Sequence, residues 1–550
     1  LPAATKLVPW IMAGVAVILI LGVWAVYAMG NFGAAEIARL APEDTEVFMS
    51  VKPNVLQYRN ANQLWESYIS EPDTKEAMDK IMEQLQDEME EDIDFEKDIK
   101  PWLGKEAAFI MPEIDKEDFV LAVESKNTEK ADDFIKIMAK EQGDTDEESY
   151  EDVTITYDES GGFAATQAKG YLMLSSSKDL LKDTIDRASG KDEEESLTQN
   201  EEYQKIAKSL PWNRSVLCFV NYEEVINAAI QDEPDLDQFA DQLKGFNSIG
   251  LSLSIEDTGI RSDYVLACDD NIPDYLKADA DNKGFDSTLK ILPAETIGFV
   301  SSPELVGSIK YILDEGTLGS DVENGLDEVE STLGIDLEDD ILNVLKGDAT
   351  LAVLPEHGEL FGQELSGNTF FSLIMTLGVN DKETAQSKTE KVLDSLESKT
   401  GVIKADSQKI NDNPAYIISM TDYNWATSET MEKEIMGLGL RDNSLVVGSS
   451  PEVLEMALKN KKSLGKDENY RTAFAPYPAN WQPVLYFNVE SFTDILSDAL
   501  RKYDGDSSVE QYQTEVEPLI KPVKLVSAAG SGYDKKAGTI CGACFISIKK

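Results

Sequence analysis

The amino-acid sequence predicts an α+β protein in which one N-terminal transmembrane helix precedes two tandem, homologous α+β domains with mixed or antiparallel sheets. Three observations lead to this prediction. An apolar segment near the N-terminus contains no charged residue. Four short phrases from the first half of the chain recur in the same order in the second half. Within each half, groups of strand-like segments joined by turns alternate with helical segments, which is typical of the α+β class.

The length of the chain, 550 residues, exceeds what one compact hydrophobic core supports. Hydrophobic residues make up 42 % of the chain, which is enough to build more than one core. We assign a short stub to residues 1–6, the transmembrane helix to 7–30, a juxtamembrane linker to 31–39, and the two repeats to 40–288 and 289–550.

The chain is strongly acidic, with 103 acidic against 50 basic residues and a net charge of −53 at pH 7. A field of that sign repels nucleic-acid phosphates and anionic lipid headgroups, so nucleic-acid binding is not expected. The charge is compatible with a well-solvated acidic surface, with saline surroundings, or with a cationic partner.

The first element is the apolar run from Leu7 to Ala35, which contains no charged residue. Because a helix of about 20 apolar residues crosses the hydrocarbon of a bilayer, residues 7–30 are long enough to span it. Trp10 near one end and Trp24 near the other fit the aromatic belts of membrane interfaces. The competing interpretation is a cleaved signal peptide, whose apolar region is usually only about 7–15 residues long.

The internal duplication rests on four collinear matches. LAPEDTEVFMSV at residues 40–51 and ILPAETIGFVSS at 291–302 share the pattern Pro-x-acid-Thr-x-x-Phe-x-Ser. Three further pairs follow in the same order: residues 92–107 with 335–349, 171–181 with 444–454, and 212–221 with 480–489, the last setting Phe219 on Phe487. A period of about 250 residues far exceeds that of solenoid repeats, so the matches predict two domains or two halves of one body.

Each copy is expected to begin with the Pro-x-acid-Thr turn and a strand. Thr45 and Thr296, with Asp44 or Glu295, should cap or pin the turn that leads into this strand. Helical segments, two more strands and a charged helix follow, and Gly143 ends the first of these charged helices where a C-cap is expected. A strand meander, a helix and a closing hairpin complete each copy.

These features resemble a family of bacterial envelope proteins catalogued as domain of unknown function 3352. The resemblance is carried by the single N-terminal span, the Pro-x-acid-Thr strand, an I-D-[FL]-E-x-D-I helix start leading to W-L-G-K-E-A, and an L-x-x-S-S-x-x-x-L step from strand to helix. It covers most of the chain, although Val344 replaces Trp102 in the second copy and Lys346-Gly347 replaces Gly104-Lys105. The resemblance implies a membrane-anchored extracytoplasmic protein and supplies no enzyme activity or catalytic residue.

Residues that commonly carry chemistry are few. His357 is the only histidine, whereas catalytic triads and most zinc sites need this residue, so we interpret it as a turn residue. Cys541 and Cys544 have C-x-x-C spacing, but they fall in a predicted strand and not at a helix N-terminus. This placement favours buried small residues, with a disulfide to Cys218 or Cys268 and a redox pair as the alternatives.

Two acidic clusters, residues 87–98 and 277–286, raise the question of calcium binding. The second cluster lacks the acid of an EF-hand at position twelve, where Lys290 stands, so only loose divalent binding remains open. Residues 175–178 have the S-x-x-K spacing of penicillin-binding enzymes, but the second copy reads GSSP and lacks the lysine. We therefore interpret this segment as a strand-to-helix turn.

We predict no catalytic residue, no cofactor and no metal site. The expected function is binding or scaffolding by a single-pass protein that contacts the lipid bilayer through residues 7–30 and has protein partners or a larger envelope complex. Lys6 favours a cytoplasmic N-terminus, which places both repeats on the extracytoplasmic side of the bacterial cytoplasmic membrane. Two alternatives are an accessory subunit of a larger membrane complex and an envelope hydrolase that uses carboxylates alone, which needs two acids in one cleft.

Overall fold

The computed structural model describes residues 36–52, 55–88, 95–159, 162–191, 195–222, 225, 244–277, 284–314, 320–357, 371–424, 429–503 and 505–549. The predicted transmembrane helix at residues 7–30 and the stub before it lie outside the described residues. Among the helices that are described, none combines the length and the apolar character needed to cross a bilayer.

The chain divides into two compact units, both built from strands and helices. The first comprises Leu1–Ile272 with Asp534–Ala543 and Lys550, and the second comprises Pro273–Tyr533 with Cys544–Lys549. The predicted α+β class is confirmed, and the pairings between described strands form antiparallel ladders.

The first unit is an antiparallel sheet with helices on both faces. Its strands are β1 (Val47–Val51), β2 (Leu103–Met111), β3 (Val120–Ser125), β4 (Asp146–Tyr150), β5 (Val153–Tyr157), β6 (Ala164–Ala168), β7 (Tyr171–Ser175), β8 (Val216–Asn221), β9 (Phe246–Glu256) and β10 (Gly259–Cys268), and its helices are α1 (Val55–Tyr68), α2 (Pro72–Glu88), α3 (Thr128–Gln142), α4 (Lys178–Ala188) and α5 (Glu201–Ser209). The hydrogen-bonded order is β4-β5-β6-β7-β3-β2-β1-β8-β9-β10. Helices α4 and α5 bury Phe48 and Phe219 on one face, whereas α3 packs over β3 and β6 on the other.

The second unit repeats this order of strands. Its strands are β11 (Gly298–Ser302), β12 (Leu345–Pro355), β13 (Phe371–Val379), β14 (Ile403–Ile410), β15 (Asn413–Asn424), β16 (Glu429–Arg441), β17 (Ser444–Gly448), β18 (Gln482–Asn488), β19 (Val523–Gly530) and the end of β20 (Thr539–Ile548), and its helices are α6 (Gly284–Ile291), α7 (Leu305–Asp314), α8 (Ser320–Leu333), α9 (Lys382–Thr400), α10 (Pro451–Lys459), α11 (Glu468–Phe474), α12 (Val489–Tyr503), α13 (Asp506–Gln511) and α14 (Glu517–Ile520). The order β14-β15-β16-β17-β13-β12-β11-β18-β19 matches β4 to β9 of the first unit strand for strand.

The two units divide the chain earlier than the sequence matches do. The matches set the boundary of the repeats at residues 288/289, whereas the units divide at Ile272 and Pro273. The reason is packing, because α6 ends at Ile291, which is fully buried in the same core as Phe299 and Leu464 of the second unit. The helix that precedes the recurring phrase therefore folds with the unit that follows it.

The recurring Pro-x-acid-Thr phrase forms the same turn in both units. The Thr45 hydroxyl donates a hydrogen bond to the Pro42 carbonyl oxygen at 2.7 Å, and the Thr296 hydroxyl donates to the Pro293 carbonyl oxygen at 2.7 Å. Both threonine residues are buried. The expectation that these threonines pin the turn before the first strand is confirmed.

The chain enters the first unit through a short 3-10 helix, Glu36–Leu40. Ile37, Ala38 and Leu40 of this helix are completely buried among the core residues under the sheet. The Arg187 guanidinium of α4 donates from Nε to the Leu40 carbonyl oxygen at 2.9 Å. The segment that directly follows the apolar run is therefore fixed in the core.

One detail of the predicted duplication is wrong by one residue. Phe48 of β1 lies opposite Phe219, and its counterpart Phe299 of β11 lies opposite Tyr486. The partner of Phe219 in the second copy is therefore Tyr486, which is buried like Phe219, and not Phe487. A register shift in the ladder between β18 and β19 accompanies this difference.

We predict that Thr45→Val and Thr296→Val each lower the local unfolding free energy of their own unit by about 0.5–1.5 kcal/mol, since each removes the side-chain hydrogen bond to the proline carbonyl oxygen and leaves only the backbone N–H of the same residue as its donor. Hydrogen exchange read by mass spectrometry resolves the two units separately. Asp44→Asn, at an exposed neighbouring position, is the control and should leave exchange unchanged. Faster exchange in both units after either single substitution would contradict a turn that acts locally.

Candidate functional site

A bulge of three residues against one interrupts β2 in the first unit. The register with β3 slips between Leu103 and Ala107, so residues 104–106 face Glu124 alone. Gly104 is required here, because a Cβ at this position would collide with the carbonyl oxygen of Glu124. Bulges re-aim side chains, and this one directs Glu106 into the buried side of the strand.

The second unit carries the corresponding bulge in β12. The register with β13 slips between Leu345 and Ala349, so residues 346–348 face Gly378 alone. A Cβ on Gly378 would collide with the carboxylate of Asp348. Both bulges contain a glycine, a lysine and an acid, and Asp348 takes the position of Glu106 directly before the slipped register.

Glu106 is almost completely buried, and its side chain is 6 % exposed. Its Oε2 atom lies 3.4 Å from Lys52 Nζ, and the backbone N–H of Ile37 also donates to the carboxylate. Its Oε1 atom has no hydrogen-bond partner among the described residues. Burial raises the pKa of Glu106, with a smaller contribution from the charge of Glu124, and Lys52 only partly opposes this.

Asp348 is similarly buried, at 8 % exposure, and its Oδ1 atom has no hydrogen-bond partner within the described part of the chain. Burial raises the pKa of Asp348, opposed mainly by the charge of Lys346. Burial and the charge of Asp348 also raise the pKa of Glu304, whose Oε2 atom would lie only 2.6 Å from a Cβ on Gly347. The charge of Lys346 opposes the rise of both pKa values, so the second unit has two acids within electrostatic range of one lysine.

Asp340, another buried acid of the second unit, has its negative charge fully compensated. Asp340 lies in the π-helical turn Glu338–Leu342, which overlaps the I-D-[FL]-E-x-D-I segment at residues 335–341. It accepts the backbone N–H of Asp336 and contacts the ammonium groups of Lys388, at 2.7 Å, and Lys391. These bonds hold the pKa of Asp340 well below its usual range, so this acid is a structural ion-pair partner.

The bulge acids can therefore do chemistry that Asp340 cannot. A carboxyl group with a raised pKa binds a proton at a pH where an ordinary carboxyl has lost it. An unpartnered buried oxygen also attracts a hydrogen-bond donor or a cation, because leaving it unpaired costs free energy. The arrangement suits binding of a proton or a positively charged group.

The histidine, the cysteines and the S-x-x-K segment lie elsewhere in the fold. His357 follows β12. Its backbone N–H donates to Ser372 Oγ at 2.8 Å, and its backbone carbonyl oxygen accepts from Ser450 Oγ at 2.9 Å. Its Nε2 atom lies 3.4 Å from Glu295 Oε1, in the recurring turn. These contacts agree with its interpretation as a turn residue.

None of the four cysteines forms a disulfide. Burial raises their pKa values, to about 11 for Cys218 and to about 12 for Cys268, and it also raises those of Cys541 and Cys544 in β20. Reactive thiols have lowered pKa values, so these four have the opposite electrostatics.

Within the residues that the structure describes, no group of three or more His, Cys, Asp and Glu side chains is placed to hold a metal ion. The two acidic clusters considered for calcium lie partly outside those residues, at positions 89–94 and 278–283.

The S-x-x-K segment is a strand-to-helix turn, as predicted. Ser175 Oγ donates to the Phe119 carbonyl oxygen at 2.8 Å, and Ser177 caps the N-terminus of α4. Lys178 Nζ lies 3.1 Å from Glu148 Oε2, in an ion pair at the surface. Ser450 caps α10 in the same way in the second unit.

The bulge carboxylates are the residues that sequence reasoning missed. An acid within a strand normally indicates a solvent-facing position, so the sequence predicts no special role for Glu106 and Asp348. The sequence signal that could have found them is their recurrence. Gly104-Lys105-Glu106 and Lys346-Gly347-Asp348 each combine a glycine, a lysine and an acid directly before an apolar strand segment.

The fold and this site define an α+β protein with two compact units, each carrying a buried bulge carboxylate. The chain belongs to the family described as a protein of unknown function, DUF3352, whose profile matches residues 7–540. The family resemblance inferred from the sequence is thereby confirmed.

Comparison with solved structures finds matches to crystal forms of TP0453. Crystal form I is 8 % identical over 43 % of this chain and 81 % of that chain, with a TM-score of 0.23. Crystal form III is 10 % identical over 43 % and 81 %, with a TM-score of 0.23. No curated protein matches the chain.

We predict that Asp348→Asn flattens the pH dependence of the second unit. Because the pKa of Asp348 is raised on folding, the native state keeps a proton that the unfolded chain loses, and the unfolding free energy falls as pH rises from about 4 through the raised pKa. The variant lacks this loss and should be more stable than the natural protein at pH 7. Hydrogen exchange of β12 and β13 at pH 4.5 and pH 7 measures the difference.

Asp327→Asn, at an exposed position of α8, is the matched control for this prediction. It removes the same charge from the same unit and should preserve the natural pH dependence. If the Asp348→Asn variant loses stability between pH 4.5 and pH 7 as steeply as the control, folding does not raise the pKa of the Asp348 carboxyl.

Proposed function

We propose that this chain is a single-pass, membrane-anchored extracytoplasmic protein that binds or scaffolds other components of the envelope. The observation that carries the proposal is the uncharged apolar run from Leu7 to Ala35, which leads directly into Glu36–Leu40. The buried side chains of this short helix tie the first unit to the proposed span. A span joined so closely would hold the first repeat beside the bilayer.

The finer architecture belongs to the same proposal: the two units are copies of one α+β domain. Four collinear phrases, the matching strand order, the same threonine-pinned turn and the same bulge support this interpretation. Repeats of this kind would present two related surfaces to partners. Residues 7–30 would contact the lipid bilayer, Lys6 would lie on the cytoplasmic side, and both repeats would face away from the cytoplasm of a bacterial cell.

A binding role fits the chemistry of the described residues better than catalysis does. The thiols have raised pKa values, the single histidine is engaged in a turn, and the serines of the S-x-x-K segment form turn and cap hydrogen bonds. A strong negative net charge favours a cationic or basic partner, and it opposes nucleic acids. The partners would be envelope proteins, either separate or as subunits of a larger membrane complex.

One observation keeps the carboxylate-only hydrolase as a second candidate. Glu304 and Asp348 lie near enough for the charge of Asp348 to raise the pKa of Glu304, as expected where two acids interact. Asp348 is deeply buried, and this position suits binding better than attack on a glycan.

We predict that the natural chain stays in the membrane pellet after extraction with alkaline carbonate and that external protease degrades both repeats in spheroplasts. The double substitution Val17→Arg and Leu21→Arg should release the chain, since each arginine near the middle of a span costs about 2.5–3.5 kcal/mol. Ala3→Arg with Thr5→Arg adds the same charge before the span and serves as the control.

Two results would contradict the anchor proposal. One is carbonate release of the natural chain together with the control. The other is protease resistance of the repeats in spheroplasts that become digestible only after lysis.

A further inference from the structure

Trp212 is the most exposed large hydrophobic side chain in the described part of the chain, at 82 % exposure. It lies between α5 and β8, in the loop at residues 210–215. The Arg214 guanidinium holds this loop in place, because it donates to the carbonyl oxygens of Leu210, at 3.3 Å, and Pro211, at 2.8 Å. A fixed loop therefore presents an indole ring to its surroundings, and such exposed apolar groups indicate contact with a partner or a membrane.

The first turn of α1 packs beside this loop. Gln57 Nε2 donates to the Asn213 carbonyl oxygen, and Gln57 Oε1 accepts from Ser215 Oγ at 2.6 Å. Leu56, the residue before Gln57, is 44 % exposed. The loop and the first turn of α1 thus form one surface. We call this surface, residues 56–57 and 210–215, the Trp212 tip.

The chain enters the first unit close to the Trp212 tip. The Ile37 N–H donates to the carboxylate of Glu106, which lies 3.4 Å from Lys52 Nζ. The backbone N–H of Lys52 donates to the Ser215 carbonyl oxygen at 2.8 Å. Three consecutive contacts therefore connect Ile37 with the loop that carries Trp212.

The chain between the proposed span and this entry point is short. Residues 31–35 separate the span from Glu36, and five extended residues reach at most about 18 Å. A span that ends so close to the first unit would hold the entry point, and the tip beside it, near the bilayer surface.

The tip escapes most of the negative charge of the chain. Residues 47–65 and 203–222 contain no Asp or Glu, and together they carry five basic residues. Glu256 and Asp257, in the turn between β9 and β10, reduce this excess. The net charge of −53 opposes contact with anionic headgroups, but charges beyond about 8 Å are screened at physiological salt, so the local balance decides at the tip.

The second unit packs the tryptophan of its corresponding loop. Trp481 lies between α11 and β18, is half-buried, and stacks on Tyr477 with ring centroids 6.4 Å apart. The Tyr477 hydroxyl donates to the buried carbonyl oxygen of Ser527 at 2.7 Å. Of these two loop tryptophans, the one in the unit that follows the proposed span is the exposed one.

We propose that the Trp212 tip docks onto the phospholipid bilayer, with the side chains of Trp212 and Leu56 in the headgroup region. The occupant of this surface is the lipid of the membrane that holds the proposed span. Tryptophan favours this zone, because its indole ring has an apolar body and one N–H donor. Docking gives the first unit a second attachment to the bilayer and fixes its orientation there. The inference rests on the proposed membrane anchor.

The experiment places the purified full chain in phosphatidylcholine vesicles, with or without bromine atoms on the acyl chains near the headgroups. Bromine quenches the fluorescence of a tryptophan on contact, so the fractional loss reports which rings enter the bilayer. Trp212→Phe should show a smaller fractional loss than the natural chain. Trp481→Phe is the matched control. With Trp10, Trp24 and Trp212 in contact, the loss should be about 1.5 times larger in this control than in Trp212→Phe.

A second pair of variants keeps all seven tryptophans. Leu56→Gln removes the other apolar side chain of the tip and should also reduce the fractional loss. Val329→Gln makes a similar change in α8, at a position that is 50 % exposed, and should not. This second pair keeps the test valid if Trp212→Phe folds poorly.

Trp10 and Trp24 of the proposed span separate this inference from the anchor proposal. An equal fractional loss in Trp212→Phe and Trp481→Phe, with quenching in both, would overturn the docking proposal and leave the anchor intact. The absence of quenching in every form of the chain would show that it does not enter the bilayer, which overturns the anchor and the docking together.

Discussion

The fold depends on how each unit absorbs extra residues in the strand beside its first strand. β2 is paired on both sides, with β1 and β3, and β12 is paired with β11 and β13. A one-residue slip along either ladder would turn every apolar side chain to the wrong face. Each bulge confines the two surplus residues to one place in the strand, and the last residue of each bulge is a buried acid.

The three buried acids differ in the positive charges and hydrogen-bond donors that compensate them. Asp340 has two lysines and a backbone donor, and Glu106 has one lysine and a backbone donor. Asp348 has its own backbone donor and the charge of the exposed Lys346, and its charge raises the pKa of a second acid, Glu304. Burying a carboxyl group without a compensating partner costs free energy, so such a group at one position indicates a functional role for that position.

Local chemistry made several features predictable from the sequence. The buried threonine hydroxyls pin their turns, and Gly143 ends α3 with a φ of 97°, in the region that favours glycine. Other features depend on long-range packing and could not be predicted from the sequence. Tyr486, rather than its neighbour, matches Phe219 because a shift in a neighbouring ladder is silent in a linear alignment. Glu106 was hidden because an acid in a strand usually faces water, and only the bulge turns it inward. The apolar run lies outside the described residues, so its span stays a prediction.

Double-mutant cycles test the central claim most directly, because they isolate the coupling between one lysine and one acid in the full chain. The account predicts a coupling of about 1–3 kcal/mol between Lys52 and Glu106, from the cycle of Lys52→Met with Glu106→Gln. It predicts a coupling below about 0.5 kcal/mol between Lys346 and Asp348, from Lys346→Met with Asp348→Asn, since exposed charges are screened. Equal coupling energies in the two units would contradict the claim that the second unit leaves its bulge acid without a lysine in direct contact.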